Sequence, residues 1–476
     1  MQSMELRRGA IAWVAVALLS ACAGSGGAGG PAPNLEDEAQ DLLVRYLQID
    51  TTNPPGNEIR GAEFFRELFL AEGIEVQVFE SEPGRGNVVA RLRGDGSRPA
   101  VVLMHHLDVV PADARYWSHD PFSGDVADGY VWGRGALDTK ALGIVHAAAM
   151  IDLARRGAPL AADLVFLGVA DEEAGGALGA GFMVEEHFEL FRGAGLVLNE
   201  GGAMQADAEG RVLFYGVEAA QKVPFWMRLT ATGTPGHGSM PRSDSAANRL
   251  VAALSRVAAW RTPLRVLPPV QRFFADTAHL APPAQRGALA DLRSALADPR
   301  FAAAFTANLR TNAMVRNTIS LTALEGSNKT NVISPTASAE LDVRLLPDED
   351  PERFLAELRR VIDDDSIEIE TLLSFPPATS PTEGPLFEAL VELAAHHHPA
   401  ALVTTPMAVG FTDCHFFRER GIPCYGFAPF AVTDDDMSRF HGNDERLSVE
   451  NIRSGARFTV ELLERLAGAT PAKEAR

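Results

Sequence analysis

The sequence predicts an α/β protein: a mixed, mostly parallel sheet covered by helices, carrying an inserted ferredoxin-like α+β unit. Three observations predict it. Between residues 35 and 200, short apolar runs alternate with amphipathic helical ones, the order that builds a largely parallel sheet. Several of those runs end in histidines or carboxylates, and in open α/β sheets ligands gather at the carboxyl ends of the strands. From 216 to 377 the order becomes β-α-β-β-α-β with an extra helical stretch, the split βαβ arrangement. A length of 476 residues is itself too great for one core.

The elements follow in order. Arg7 and Arg8 precede an apolar run at 10–19, and small residues lead into Cys22. That is a secretory signal, too short to span a bilayer. Leu19-Ser20-Ala21-Cys22 resembles the bacterial lipobox, in which the signal 1–21 is cut away and Cys22 is lipidated; an ordinary signal cut nearby is the alternative. A flexible Gly/Ala/Pro tether spans 22–34. The expected location is the cell envelope, as an exported lipoprotein anchored to a membrane.

Leu42, Leu43, Tyr46 and Leu47 set a helix over 35–47, stopped by the turn residues TTNPPGNE. A second helix covers 61–72, and strands cover 74–80, 87–92 and 100–104. His106 and Asp108 follow, two apart, so an extended backbone points both to one face. Asp138 in GRGALDTK stands before a helix at 141–156. Histidine and carboxylates at loop edges suit zinc, although a lone H-x-D is common and weak. The strand at 163–170 runs into Asp171-Glu172-Glu173, three acids that repel one another unless a cation or proton sits among them. A solvated acidic turn reads the same way. A short strand at 193–198 ends in Asn199-Glu200-Gly201-Gly202.

A strand-like stretch at 212–231 leads to GTPGHGSMP and a helix at 245–260. Helical residues 269–311 follow, then strands at 317–325 and 337–345, a helix at 351–363 and a strand at 367–373. Helices at 386–397 and 448–466 close the chain. His396-His397-His398 reads as a helix end, not a metal site. The domain reading is 35–215 and 378–468 for the main sheet, with 216–377 inserted. A net charge of −20 without a basic patch excludes nucleic acid as a partner. Three cysteines give neither a disulfide framework nor a Cys-based zinc site; Cys414 and Cys424 read as buried thiols, with pairing left open.

The segments HHLDVVP, GRGALDTK, DEEAGG, NEGG, GTPGHGSMP, KTNVISP, DVRLLP, GFTDCHFF and HGNDERLS together resemble the co-catalytic di-zinc exopeptidase and amidohydrolase family. That family includes carboxypeptidases G and S, aminoacylases, acetylornithine deacetylase and succinyl-diaminopimelate desuccinylase. NPPGNE, NEGG and the helical insertion look closest to the carboxypeptidase S-like branch. The resemblance implies a zinc-exopeptidase catalytic domain with an inserted lid or dimerisation domain, and two Zn2+ per subunit, with Co2+ or Mn2+ as alternatives. It implies that His106 and Glu200 hold one metal, Glu173 and His441 the other, and that Asp138 bridges them. Glu172 becomes the general base, Asp108 the carboxylate that orients His106, and His237 a donor to the scissile carbonyl oxygen. Asn331, Arg344, Thr412 and Asp413 match positions around the substrate's carboxylate end. The implied reaction is hydrolysis of an amide beside a free carboxylate, in a short peptide or an N-acyl amino acid, by a chain that can form a homodimer through the lid unless the helical insertion blocks it. His105 stands where the family has a small residue, and strand alternation turns it away from His106 to pack. Cys414 and His415 also depart from the pattern, which bears on substrate preference.

Overall fold

The structure, a computed structural model, describes residues 34–469. The expected signal segment, Cys22 and the tether up to residue 33 lie outside the described residues. Helices α1 (Leu35–Leu47) and α2 (Ile59–Ala71) precede strands β1 (Glu75–Glu80), β2 (Gly86–Leu92) and β3 (Ala100–His106). Helix α3 (Lys140–Arg155) joins β3 to β4 (Leu164–Val169), and β5 (Ala194–Ala206) and β6 (Val212–Gly216) follow. Next come β7 (Val223–Thr232), α4 (Ala246–Ala259), short helices between 268 and 314, β8 (Thr318–Glu325), β9 (Thr336–Leu345), α5 (Pro351–Ile362) and β10 (Glu368–Ser374). The chain closes with α6 (Pro385–His397), β11 (Leu402–Thr404), α7 (Cys414–Glu419), β12 (Cys424–Val432) and α8 (Val449–Ala467).

The large sheet has the order β1-β2-β4-β3-β5-β6-β11, with β12 pairing β5 as well. Pairs β3–β4, β3–β5, β5–β12 and β6–β11 are parallel, while β1–β2, β2–β4 and β5–β6 are antiparallel. The central strands β3 and β4 carry apolar runs, over 101–104 and over Leu164–Val169, because both faces are covered there. Val101 and Leu103 of β3 enter the core that holds α1, α3 and α8, while Val102 and Met104 enter the core on the opposite face. Helix α3 is buried nearly all round, as its Ala-rich, charge-poor sequence requires.

The small sheet, order β8-β9-β7-β10, is antiparallel throughout and packs α4 and α5 over a core of its own, including Met227, Leu229, Leu250, Leu341 and Phe354. In chain order this is the ferredoxin-like β-α-β-β-α-β sequence.

Three expectations change. The strand predicted at 193–198 continues through Ala206, so Glu200 stands inside a strand. It continues because Gly201 adopts φ +115° and Gly202 lets the Gly216 and Gly426 carbonyls approach where a Cβ would stand. The stretch 212–231 is two strands on different sheets, β6 and β7. Cys414 and Cys424 form a disulfide, since the turn from α7 into β12 brings their Cα atoms to 5.2 Å. His397 and His398 sit at the end of α6, paired with Glu461 and the Tyr215 hydroxyl.

Candidate metal centre and active site

Three neighbouring parallel strands deliver the first groups. His106 is the last residue of β3, Glu172 and Glu173 follow β4, and Glu200 lies in β5. The turn after β4 begins at Asp171, whose φ of 72° lies in the left-handed region, which Asp tolerates better than most residues. Arg85 holds it there, bonding Asp171 Oδ1 at 2.7 Å and gripping buried Glu58 through two further bonds. Asp138 comes from the loop before α3, and His441, also left-handed at φ 56°, from the loop before α8.

Two clusters of ligand atoms result, His106–Asp138–Glu200 and Asp138–Glu173–His441, and Asp138 belongs to both. His106 Nε2 lies 3.0 Å from Asp138 Oδ1 and 3.8 Å from Glu200 Oε2. His441 Nε2 lies 3.0 Å from Asp138 Oδ2 and 3.2 Å from Glu173 Oε2. His106 Nδ1 meets the Asp108 carbonyl at 2.9 Å. A carbonyl only accepts, so Nδ1 carries a proton and Nε2 is the atom left to face the cluster and, once deprotonated, to bind metal.

The charges in this cluster ask for a cation. Burial and the Glu200 carboxylate push Glu172 well above the usual carboxylate range. Burial and Asp138 do the same to Glu200, against the pull of His106. Against burial, the imidazoles of His106 and His441 hold Asp138 low. Hydrogen bonds to Asp138 and Glu173 raise His441 to about 10. Glu173 Oε1 is buried with no hydrogen-bond partner among the described residues. Two imidazoles and three carboxylates, with an unpartnered oxygen and an excess of acid, fit a pair of divalent ions.

The remaining predicted residues divide. Asp108 is buried but acts more widely than expected. Its Oδ1 and Oδ2 accept the backbone N–H groups of Glu172 and Glu173, both at 3.2 Å, and Oδ2 also accepts from Asn53 at 2.8 Å. Its carboxylate is farther from His106, at 3.4 Å, than its own carbonyl is. Asp413 is buried beside the acid cluster with Oδ2 unpartnered, and burial raises it well above the usual carboxylate range. Thr412 bonds Gln221 through its side chain and its carbonyl. Arg344 is held to Asp342 through Nε and Nη2 and packs on the Trp226 and Phe411 rings, while its buried Nη1 has no hydrogen-bond partner among the described residues. His237 and Asn331 are exposed on a two-stranded ribbon, Gly236–His237 with Val332–Ile333. Among the described residues, neither side chain hydrogen-bonds or ion-pairs with the metal-cluster side chains. The Ser239 N–H donates to His237 Nδ1, so a neutral ring carries its proton on Nε2. His105 packs against Phe65 and Phe166.

One residue escaped the sequence reading. Glu445 is buried and accepts from the backbone of Gly135, Leu137 and Asp138 and from Arg134 Nη1. It thereby ties the loop of the shared ligand to the segment that carries His441. It sits within the HGNDERLS segment, where a buried acid and a surface acid look alike.

The comparisons agree with this geometry. Residues 102–465 match the model of "Peptidase family M20/M25/M40". The chain is 32% identical over 373 residues to an "N-fatty-acyl-amino acid synthase/hydrolase PM20D1" of Xenopus tropicalis, covering 76% of this chain and 72% of that protein. It is 29% identical over 441 residues to "Aminoacylase-1" of Sus scrofa, covering 91% and 96%. The crystal structure of an M20 family metallo-carboxypeptidase from Sulfolobus solfataricus superposes with a TM-score of 0.67 at 18% identity, covering 90% of this chain and 99% of that one. The chain therefore belongs to peptidase family M20/M25/M40 and is a metal-dependent hydrolase of that family.

Proposed function

We propose that the chain hydrolyses an amide bond next to a free carboxylate, releasing an amino acid from an N-acyl amino acid or a short peptide. The observation that carries this reading is the pair of clusters sharing Asp138. Imidazole and carboxylate donors suit zinc, with cobalt or manganese as alternatives. His106, Asp138, Glu173, Glu200 and His441 would hold such ions, which would supply Lewis acidity to the scissile carbonyl and the attacking water.

The side chains do the rest. Glu172 follows Asp171 on a turn fixed by Asp108, takes the water's proton at its carboxylate and returns it to the leaving amine nitrogen. His237 offers Nε2–H to the developing oxyanion. The unpartnered Nη1 of Arg344 faces the substrate carboxylate, and its rings and Asp342 keep the guanidinium in place. Asn331 and Thr412 would contribute at that end of the substrate, and the Asp413 carboxylate acts on the charges of Glu172 and Glu200. The acyl-amino-acid reading is supported beside the peptide reading by a mostly apolar cavity against Glu200, with Thr139, Gln205 and Arg310 as its other polar side chains.

The test is Glu172→Gln in the zinc-loaded enzyme, assayed on dipeptides and N-acyl amino acids. Metal content should persist while kcat falls by about 10²–10⁴-fold. Retained activity would remove Glu172 as the base.

We further infer an exported lipoprotein anchored through Cys22, and a homodimer formed through the small sheet. The Cys414–Cys424 disulfide supports export, since such bonds persist in oxidising compartments. Among the described residues no helix is long and apolar enough to cross a membrane, so the proposed anchor rests on Cys22. Replacing Cys22 with Ser should abolish incorporation of labelled fatty acid and move the protein from the membrane to the soluble fraction.

A further inference from the structure

A cleft of about 540 Å³ lies between α4 and β8, the strand at one edge of the small sheet. None of its lining residues belongs to the metal cluster or to the groups assigned to the substrate. Arg261, just past α4, and Arg316, just before β8, both line it, and no Asp or Glu does. The Arg316 Nε is buried with no hydrogen-bond partner among the described residues. Arg261 reaches only the Ala258 carbonyl among them, at 3.3 Å. Burial and the charge of Arg261 both work against the Arg316 cation. The nearby acids Asp348 and Glu349 are already engaged, both by Arg265 and the second also by Arg353 and Asn317. The chain carries 63 acidic against 43 basic side chains, yet these two guanidiniums share a cleft with no carboxylate. Beside them, Leu309 is 84% exposed and Leu321 47% exposed, and both line the same cleft.

We propose that this cleft is a second ligand site, one that binds a small organic anion: a carboxylate, sulfonate or phosphate head on an apolar body. The head sits between Arg261 and Arg316, whose planar forks match the oxygens of such groups and are left without a protein partner for them. Asn312 and Ser320 add neutral donors within the same cleft. The body lies against Leu309 and Leu321 and takes their surface out of water. Isolated exposed leucines are ordinary on a protein surface. Two of them beside unpaired cations in a concave site suit a ligand that carries both characters. Because the cleft is concave, it accepts one molecule and does not offer the flat face that a membrane would need. The site is independent of the amide-hydrolase reading, since no residue is common to the two.

The experiment is calorimetric titration of the metal-loaded protein with 1-naphthalenesulfonate, whose head is a weak ligand for zinc. Sulfate serves as the head alone and 1-naphthalenemethanol as an uncharged body. The sulfonate should fill one saturable site per chain, with each control about tenfold weaker or more. The double variant Arg261→Gln/Arg316→Gln should lower its affinity about tenfold or more, the loss expected when hydrogen bonds to a charged group are removed. Raising the ionic strength from about 0.05 M to about 0.5 M should weaken binding to the wild type, since the cleft is open to solvent. Ala258 lines the cleft and is exposed. Ala258→Trp fills the space with both arginines in place and should abolish binding while leaving the unfolding midpoint unchanged. No saturable binding, equal affinity for the uncharged body, or binding indifferent to both variants overturns the site. Sedimentation of the same proteins provides the remaining outcome. A change of oligomeric state in the arginine variant, with no sulfonate binding by the wild type, would make the cleft a contact between copies of the chain and overturn the ligand site.

Discussion

At the scale of single residues, two buried acids that bind no metal carry the site's geometry. Asp108 spends its carboxylate on the backbone of Glu172 and Glu173, and so fixes which of those neighbours faces the cluster. Glu445 does the same for the loop of Asp138 and neutralises buried Arg134 at 2.6 Å. Removing one partner of a buried pair leaves the other charged and unsolvated. Glu445→Ala should therefore destabilise the protein by about 3–5 kcal/mol in denaturant unfolding, and lower metal affinity by about 10–100-fold. Loss of less than about 1 kcal/mol would show that water replaces the carboxylate. The ligands themselves were legible because each stands in a segment that resembles a known family. Glu445 was not, because nothing local marks an acid whose partners lie some 310 positions away. The breadth of Asp108's role was equally hidden, since spacing places a side chain on a face without saying what it accepts.

Among elements, the junction of α7 and β12 shows how chemistry and scaffold meet. Asp413 precedes Cys414, and the disulfide ties the start of α7 to the start of β12. Closing so short a loop is worth about 2–3 kcal/mol. The double variant Cys414→Ala/Cys424→Ala should lose that much in denaturant unfolding, and the wild type should match it under reductant. An unchanged midpoint would mean that the core around Phe417 and Ile422 holds the junction alone. A separation of ten residues says nothing about where two Cβ atoms point, so the pairing could not be read beforehand. Strands β3 and β4 were readable for the opposite reason: burial on both faces writes itself as an apolar run, over 101–104 and over Leu164–Val169. The continuation of β5 was not, since Gly201-Gly202 looks like a turn and serves instead to admit neighbouring carbonyls. The break between β6 and β7 was hidden because both pieces are apolar and differ only in the sheet they join.

For the whole molecule, the candidate metal cluster gathers side chains from distant parts of the chain, from His106 to His441. A ligand that binds only the folded state stabilises it by about 4 kcal/mol at a thousandfold excess over Kd. Zinc should thus raise the melting temperature and a chelator reverse the gain. The pH dependence follows from the histidines. Burial opposes a charge on His106, but Glu200, Asp108 and Asp138 lift it well above 6.5; Asp138 and Glu173 lift His441 from 6.5 to about 10. Without metal both rings therefore hold protons at neutral pH, and each must lose one to bind. For His441 the folded value exceeds the unfolded one, so its contribution to the metal-free protein is full below pH 6.5 and fades as pH rises towards 10. Metal takes over where that contribution fades. The zinc-induced rise in melting temperature should be larger at pH 8.5 than at pH 6, and zinc titrations in buffers of different ionisation enthalpy should report proton release. A pH-independent rise with no proton release would mean that the imidazoles are already neutral and the ligand carboxylates already ionised in the metal-free protein.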